Sequence, residues 1–314
     1  MIRLLLAASL AIPLGLDLYM PVPEDNPLKA EKIELGRRLF TDRRLSRDGS
    51  IACVSCHDPD RAFSDGRAIA VGVFGRAGRR NAPAIVNRGY GRAFFWDGRA
   101  QSLEEQVLKP IQDPNEMDLT LHEAATRMGV DVPTIARVLA SYVRSILSGD
   151  SAYDRFINGD DGTLSVEQHA GMQIFRGKGN CTACHVGPNF TDERLHNTGV
   201  AWRDPSTLRP AQDRPEPSRA TSSSGQVTGY YADEGGGNGT FKTPTLREVE
   251  RTAPYMHDGS MTTLEEVIDF YDDGGRSNPS IDPEIHPLHL SVEEKLALVA
   301  FLKSLSGSIH EGQP

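Results

Sequence analysis

Two Cys-x-x-Cys-His motifs, Cys53-Val54-Ser55-Cys56-His57 and Cys181-Thr182-Ala183-Cys184-His185, use all four cysteines of the chain and limit what it can fold into. Their spacing is that of covalent c-type haem attachment. Two thioether bonds must reach the two vinyl edges of one porphyrin, while the adjacent histidine turns under the iron as its proximal ligand. Cys53, Cys56 and His57 are therefore assigned to one haem, and Cys181, Cys184 and His185 to the other. A zinc site, a redox dithiol or disulfides would each need both histidines to follow the second cysteine by accident, and structural zinc uses its four ligands at wider local spacing. No cysteine is left for a disulfide, so chain size and haem burial must stabilise the fold.

At 314 residues the chain is long enough for two domains, and motifs 128 residues apart predict one haem domain each, residues 21–160 and 161–314. The link is expected near Asn158 to Thr163. With 25% charged residues and a net charge of -9, nothing supports a nucleic-acid partner. An acidic surface suits a partner with a basic patch. Met1-Ile2-Arg3 and the apolar run Leu4 to Leu16 predict a signal peptide over residues 1–20. The run is short for a bilayer span. Since no small-x-small cleavage site precedes Asp17, an uncleaved N-terminal membrane anchor is the alternative. Both readings imply export.

Helix signals dominate, so a mainly α fold is expected. Asn26-Pro27 predicts an N-cap and first helical turn for a helix reaching Phe40. Ile135, Val138, Leu139, Tyr142, Val143 and Ile146 share one helical face after Pro133. Capping boxes stand at Ser102 with Glu105, Ser165 with Gln168, Thr263 with Glu266 and Ser291 with Glu294. Gly36-Arg37-Arg38-Leu39-Phe40 and Gly171-Met172-Gln173-Ile174-Phe175 precede the two haem motifs, and Phe63-Ser64-Asp65 and Phe190-Thr191-Asp192 follow them. This predicts two cytochrome c-like domains related by duplication, joined by long irregular loops. The Pro-, Ser- and Gly-rich stretch 203–240 is expected to be a disordered flap or a partner-binding loop.

Phe94-Phe95-Trp96-Asp97-Gly98-Arg99-Ala100, Leu103-Glu104-Glu105-Gln106, Pro110, Asn115-Glu116-Met117, Phe241-Lys242-Thr243-Pro244-Thr245-Leu246-Arg247 and Thr252-Ala253-Pro254-Tyr255-Met256-His257-Asp258-Gly259 closely resemble the di-haem cytochrome c peroxidase superfamily. The resemblance, which covers nearly all of the chain beyond the leader, implies a peroxide-reactive first haem and an electron-transfer second haem. It also implies Glu116 as acid–base residue, Gln106 as the glutamine that orients peroxide or water, and Pro110 as its steric neighbour. Trp96 would couple the haems, and Asn81, Thr252 and Pro254 would bind one calcium ion between the domains. His257 matches a family histidine near the haems. The resemblance to c-type cytochromes implies attachment outside the cytoplasmic membrane, in the periplasm.

Conventional peroxidases of the family close the first haem with a histidine between the first motif and the Trp-Asp-Gly-Arg element. Here Gly72-Val73-Phe74-Gly75 stands in that stretch, and no histidine lies between His57 and Trp96. His122, the nearest substitute, reads as a surface residue. For the second haem, the family register puts the distal ligand at Tyr271, as in the MauG-like branch, with Met261 and Met256 as rivals. Periodicity alone would pack Tyr271 with Val267 and Ile268. A surface tryptophan that precedes the second motif in the branch member maturing methylamine dehydrogenase is replaced here by Gly179; Trp202 is another candidate exit point. The expectation is thus an exported enzyme that reacts with hydrogen peroxide and uses high-valent haem iron to oxidise a partner protein. The alternative is a conventional peroxidase fed by a small cytochrome c or cupredoxin.

Overall fold

The computed structural model describes residues 11–203, 219–221 and 227–312. Leader positions 1–10 and loop positions 204–218 and 222–226 lie outside the described residues. Nine α-helices carry the described chain: α1 Ala30–Phe40, α2 Leu103–Gln106, α3 Lys109–Gln112, α4 Leu121–Met128, α5 Val132–Arg144, α6 Ala152–Ile157, α7 Val166–Arg176, α8 Leu264–Asp272 and α9 Val292–Lys303. Ser165, Thr263 and Ser291 cap α7, α8 and α9 with full capping boxes; at α2, Ser102 accepts from the Glu105 N–H while Glu105 turns to the Gln101 N–H.

The two halves are copies. In the first, α1 crosses α5 at Gly36, where a Cβ would stand 2.0 Å from the Val138 carbonyl oxygen. In the second, α7 crosses α9 at Gly171, where a Cβ would stand 1.9 Å from the Ala297 carbonyl oxygen. Each crossing centres a core, one built from Ile33, Leu39, Phe40, Ile135, Leu139 and Val143, the other from Met172, Phe175, Leu298, Phe301 and Leu302. The repeat extends beyond the haem loops. Residues 81–110 and 242–271 correspond at a constant offset of 161, from Pro83 and Pro244 through Asp97-Gly98 and Asp258-Gly259 to the N-caps Ser102 and Thr263. Backbone geometry follows: Asn87 and Glu248 are both left-handed, as are Phe95 and Met256, and Phe94 bridges Ala100 as Tyr255 bridges Met261.

Several boundaries differ from expectation. Tyr153 and Phe156 of α6 pack on the second core, so the division between cores falls ahead of Asn158, at strand β1 (Leu147–Gly149). A C-terminal strand, Ser308–His310, returns to pair antiparallel with β1 and closes the junction. Helix α1 starts at Ala30 rather than at Pro27, because the Asn26 amide donates to Glu104 and to the Arg137 carbonyl instead of capping. Leu16 and Met20, inside the expected leader, are buried against Leu147. Where a loop was expected over 203–240, Trp202–Arg203, Arg219–Thr221 and Val227–Tyr231 form a three-stranded antiparallel sheet. No helix among the described residues is long and apolar enough to cross a membrane.

Candidate functional site

One cavity of about 530 Å³ runs between the halves and touches both motifs: Cys53, Cys56 and His57 line it from one side, His185 and Tyr271 from the other, with Trp96 also on its wall. The histidines are set by the same local device. Phe63 and Phe190 take left-handed backbone conformations, with φ of 61° and 51°. Their carbonyls accept from His57 Nδ1 at 3.1 Å and His185 Nδ1 at 2.8 Å. A carbonyl can only accept, so each Nδ1 carries the proton and each Nε2 keeps its lone pair for a metal. None of the four cysteines is in a disulfide.

Gln106 from α2, Pro110 from α3 and Glu116 from the following turn come together on the wall of this cavity. The Glu116 N–H donates to the Asp113 carbonyl, and the Glu116 carbonyl accepts from the Val73 N–H at 2.9 Å. Gly72 presses so close that a Cβ would lie 2.0 Å from the Asn115 carbonyl oxygen, so the 72–75 turn can cover Glu116 only with glycine there. Burial pushes the Glu116 carboxyl up to about 7, with Asp113 adding to the rise and Arg99 opposing it. Phe74 points outward, 59% exposed. His122 is exposed on α4 and does not reach the cavity.

On the second side, α8 presents Val267 and Tyr271 to the cavity. The 161-residue offset makes them the counterparts of Gln106 and Pro110. Burial is the main reason the Tyr271 phenol is pushed up to about 12. Ionising it at pH 7 would then cost about 7 kcal/mol at ~1.36 kcal/mol per unit, so a phenolate there needs a cation beside it. Met256 also lines the cavity, whereas Met261 is buried behind it in the bridge to Tyr255.

Trp96 Nε1 donates to the Asn81 carbonyl at 2.9 Å, and the Trp96 carbonyl accepts from the Lys242 N–H at 2.7 Å. The tryptophan is thereby held by both halves of the repeat. The Asn81 carboxamide is buried against the carbonyls of Arg67 (2.7 Å) and Pro254 (3.4 Å); Thr252 lies on the same wall. With its oxygen turned inward, that amide would join a set of neutral oxygens of the kind calcium accepts. His257 stacks on Phe241 at 3.7 Å, and burial pushes its imidazole down to about 4, so it is neutral at pH 7. Trp202 is buried against Tyr231 rather than exposed, and Gly179 lies beside Cys181, whose thiol meets its carbonyl.

Sequence reasoning missed the cationic lining. Arg80 bridges Asp97 (2.7 Å) and Asp233 (2.6 Å), Arg88 pairs with Glu193, and Lys242, pushed down to about 8 by burial, lies 3.6 Å from the same glutamate. Arg79, Arg80, Arg88, Arg99, Lys242 and Arg247 outnumber the lining carboxylates Asp97, Asp113 and Glu116. Most of these cations are already paired, with Asp97 on the wall and with Asp233, Glu193 and Asp154 behind it, while apolar walls from Ile51, Ile85, Val143, Leu246, Leu264 and Leu302 fit porphyrin faces. The offset pairing of Lys242 with Asn81 was the signal that could have placed the lysine in the site.

Residues 30–131 match the family model for di-haem cytochrome c peroxidase. Methylamine utilization protein MauG of Methylorubrum extorquens is 38% identical over 305 residues, 91% of this chain and 81% of that protein. The chain belongs to the di-haem cytochrome c peroxidase family. Cytochrome-c peroxidase IdrP1 of a Pseudomonas species is 37% identical over 92% of this chain and 84% of its own length. The crystal structure of a MauG-like protein associated with microbial copper homeostasis superposes with a TM-score of 0.76 at 33% identity, covering 93% of this chain and 94% of that one. As a member of this di-haem peroxidase family, the chain is a peroxide-dependent oxidoreductase that takes two haems and works with hydrogen peroxide and a partner protein.

Proposed function

We propose that this enzyme reacts with hydrogen peroxide on the Glu116 side of the cavity and passes the oxidising equivalents on to oxidise a partner protein, in the manner of the MauG-like branch. Tyr271 carries the reading: it stands where the first half of the repeat has Pro110, so at this one position an oxygen donor faces the cavity in the second half and a ring that cannot bind a metal faces it in the first. The two haems, when bound, supply an iron that cleaves peroxide and a second iron that shares the oxidation. Cys53 and Cys56, and Cys181 and Cys184, would hold them by thioethers, and His57 and His185 would bind the irons. Gln106 orients peroxide, Pro110 keeps that face free of a ligand, and Glu116 takes the peroxide proton and returns it to the departing oxygen. Tyr271 would hold the second haem's iron through its oxygen, and an anionic oxygen donor would favour higher oxidation states. Trp96 couples the two sites, and Asn81, Thr252 and Pro254 bind calcium. The protein is proposed to work in the periplasm, where c-type haems are attached.

Met256 on the cavity wall favours the other reading, a conventional peroxidase that draws electrons from a small cytochrome c or cupredoxin. One titration separates them. The fully oxidised holoprotein is given one equivalent of peroxide with no reductant present, and both haem spectra are followed. Prompt change at both haems, with a second-haem resting spectrum that Tyr271→Phe alters, is the expected result. Reaction only after prior reduction, with Tyr271→Phe silent, would establish the electron-fed peroxidase instead.

A further inference from the structure

The two halves carry the same aromatic cluster beside their motif histidines. In the first, Phe40 packs against Phe63 and Tyr142 with ring centroids 6.4 and 5.0 Å apart. In the second, Phe175 packs against Phe190 and Phe301 at 6.1 and 5.1 Å. The helix-crossing glycines confirm the match: a Cβ on Gly36 would lie 2.8 Å from that of Tyr142, and one on Gly171 would lie 2.7 Å from that of Phe301. One packing position is thus filled by phenylalanine in one copy and tyrosine in the other, so packing itself does not require the hydroxyl. Tyr142 is 2% exposed, and its O–H donates to Glu311 Oε2 at 2.5 Å. The partner of this buried phenol is a carboxylate, a group able to accept its proton.

Tyr142 also stands one ring away from the first haem's proximal histidine. Phe40 lies between them, its centroid 6.4 Å from that of His57 and 5.0 Å from that of Tyr142. Leu139 and Val143, which flank Tyr142 on α5, line the haem cavity itself. Electron tunnelling falls steeply with distance and is favoured by contiguous packed atoms, and this path is short and without a gap.

We propose that Tyr142, with Glu311 as its proton acceptor, is a redox site that takes up one oxidising equivalent from the first haem. It rests on the peroxide reaction set out above. Hydrogen peroxide becomes two waters by taking two electrons and two protons. Tyr142 supplies one of the electrons through Phe40, and the second comes from the haem pair. As the electron leaves, the phenolic proton passes to the Glu311 carboxylate, which gives a neutral phenoxyl radical and a carboxylic acid. A docked partner gives up two electrons in single steps, one that reduces the phenoxyl as the proton returns from Glu311 and one that restores the haem pair, while the two protons that form water come from solvent. The site stores an equivalent when no partner is bound, away from Gln106 and Glu116.

The test is freeze-quench electron paramagnetic resonance of the oxidised holoprotein, grown with ring-deuterated or ordinary tyrosine, after one equivalent of peroxide, with the optical response of the haems recorded in the same sample. A tyrosyl signal narrowed by deuteration is expected, lost in Tyr142→Phe, in which the haems still respond to peroxide and now carry both oxidising equivalents. Phe301 shows that phenylalanine satisfies the packing there. Glu311→Gln, which keeps an acceptor but binds no proton, is expected to lower the radical yield several-fold; an unchanged yield would remove Glu311 from the proposal. A signal that persists in Tyr142→Phe, or none in the wild type despite an optical response, would overturn the proposal and leave the peroxide reaction standing. No optical response in the wild type would overturn both.

Discussion

Glu116 shows how a single carboxyl acquires a working pKa from its surroundings. Burial beneath the Gly72 turn holds it near 7 instead of in the ordinary carboxylate range. Only the ionised form can accept the peroxide proton, so the second-order rate constant for peroxide should rise with pH through about 7 and level off above it. Glu116→Gln should lower that constant by about 10²–10⁴-fold and flatten the pH profile. A variant that keeps the wild-type rate and inflection would assign the titration elsewhere. The two Cys-x-x-Cys-His motifs that line the cavity were legible in the sequence, because their spacing is local. Glu116, Gln106 and Tyr271 were legible only through family register, since α2, the turn after α3 and α8 bring them to the cavity. The contact between Tyr142 and Glu311 spans 169 residues and leaves no local trace.

Among elements, the helices announced themselves and the strands did not. The capping boxes at α7, α8 and α9 are short-range chemistry, readable as a residue and its partner three positions on. The strands of two to five residues are held by pairing with distant segments, as β1 is by the C-terminal strand, so no alternation marks them. Gly36 and Gly171 looked like repeated markers before each haem motif, and their physical reason is the helix crossing. With backbone oxygens 2.0 and 1.9 Å from the sites of new Cβ atoms, neither crossing can accept a methyl without moving apart. Gly36→Ala and Gly171→Ala are each expected to cost about 1–3 kcal/mol through overpacking. That is several degrees of melting temperature in the holoprotein, at ~2–4 °C per kcal/mol for large domains. Equal melting curves for wild type and both alanine variants would show that the helices separate at no cost.

At the scale of the whole molecule, the duplication explains the common architecture, while the departures from it explain how the copies are joined. Where the first half has Val86, the second has Arg247, fully buried with Asp154 at 2.6 and 2.9 Å. The same guanidinium donates to the Gly15 and Pro188 carbonyls, so one ion pair ties the N-terminal segment, α6, the loop after the second haem motif and the cavity wall. The sequence hid this, because a lone arginine and a lone aspartate 93 residues apart carry no pattern. Two buried charges survive only as a pair, so removing one should be worse than removing both. Asp154→Asn keeps the shape but leaves the guanidinium without its counter-charge, and is expected to cost about 3–5 kcal/mol. Arg247→Met combined with Asp154→Asn removes both charges, keeps an amide oxygen to accept from the Ser151 N–H and O–H, and leaves the Gly15 and Pro188 carbonyls short of a donor; both residues are only half-buried, so each costs about 1 kcal/mol, the low end for an unsatisfied group. The double variant should therefore melt between Asp154→Asn and the wild type, compared at equal haem content. If it melts below the single variant, the arginine acts chiefly as a hydrogen-bond hub for Gly15 and Pro188, and the carboxylate is the lesser part of the joint.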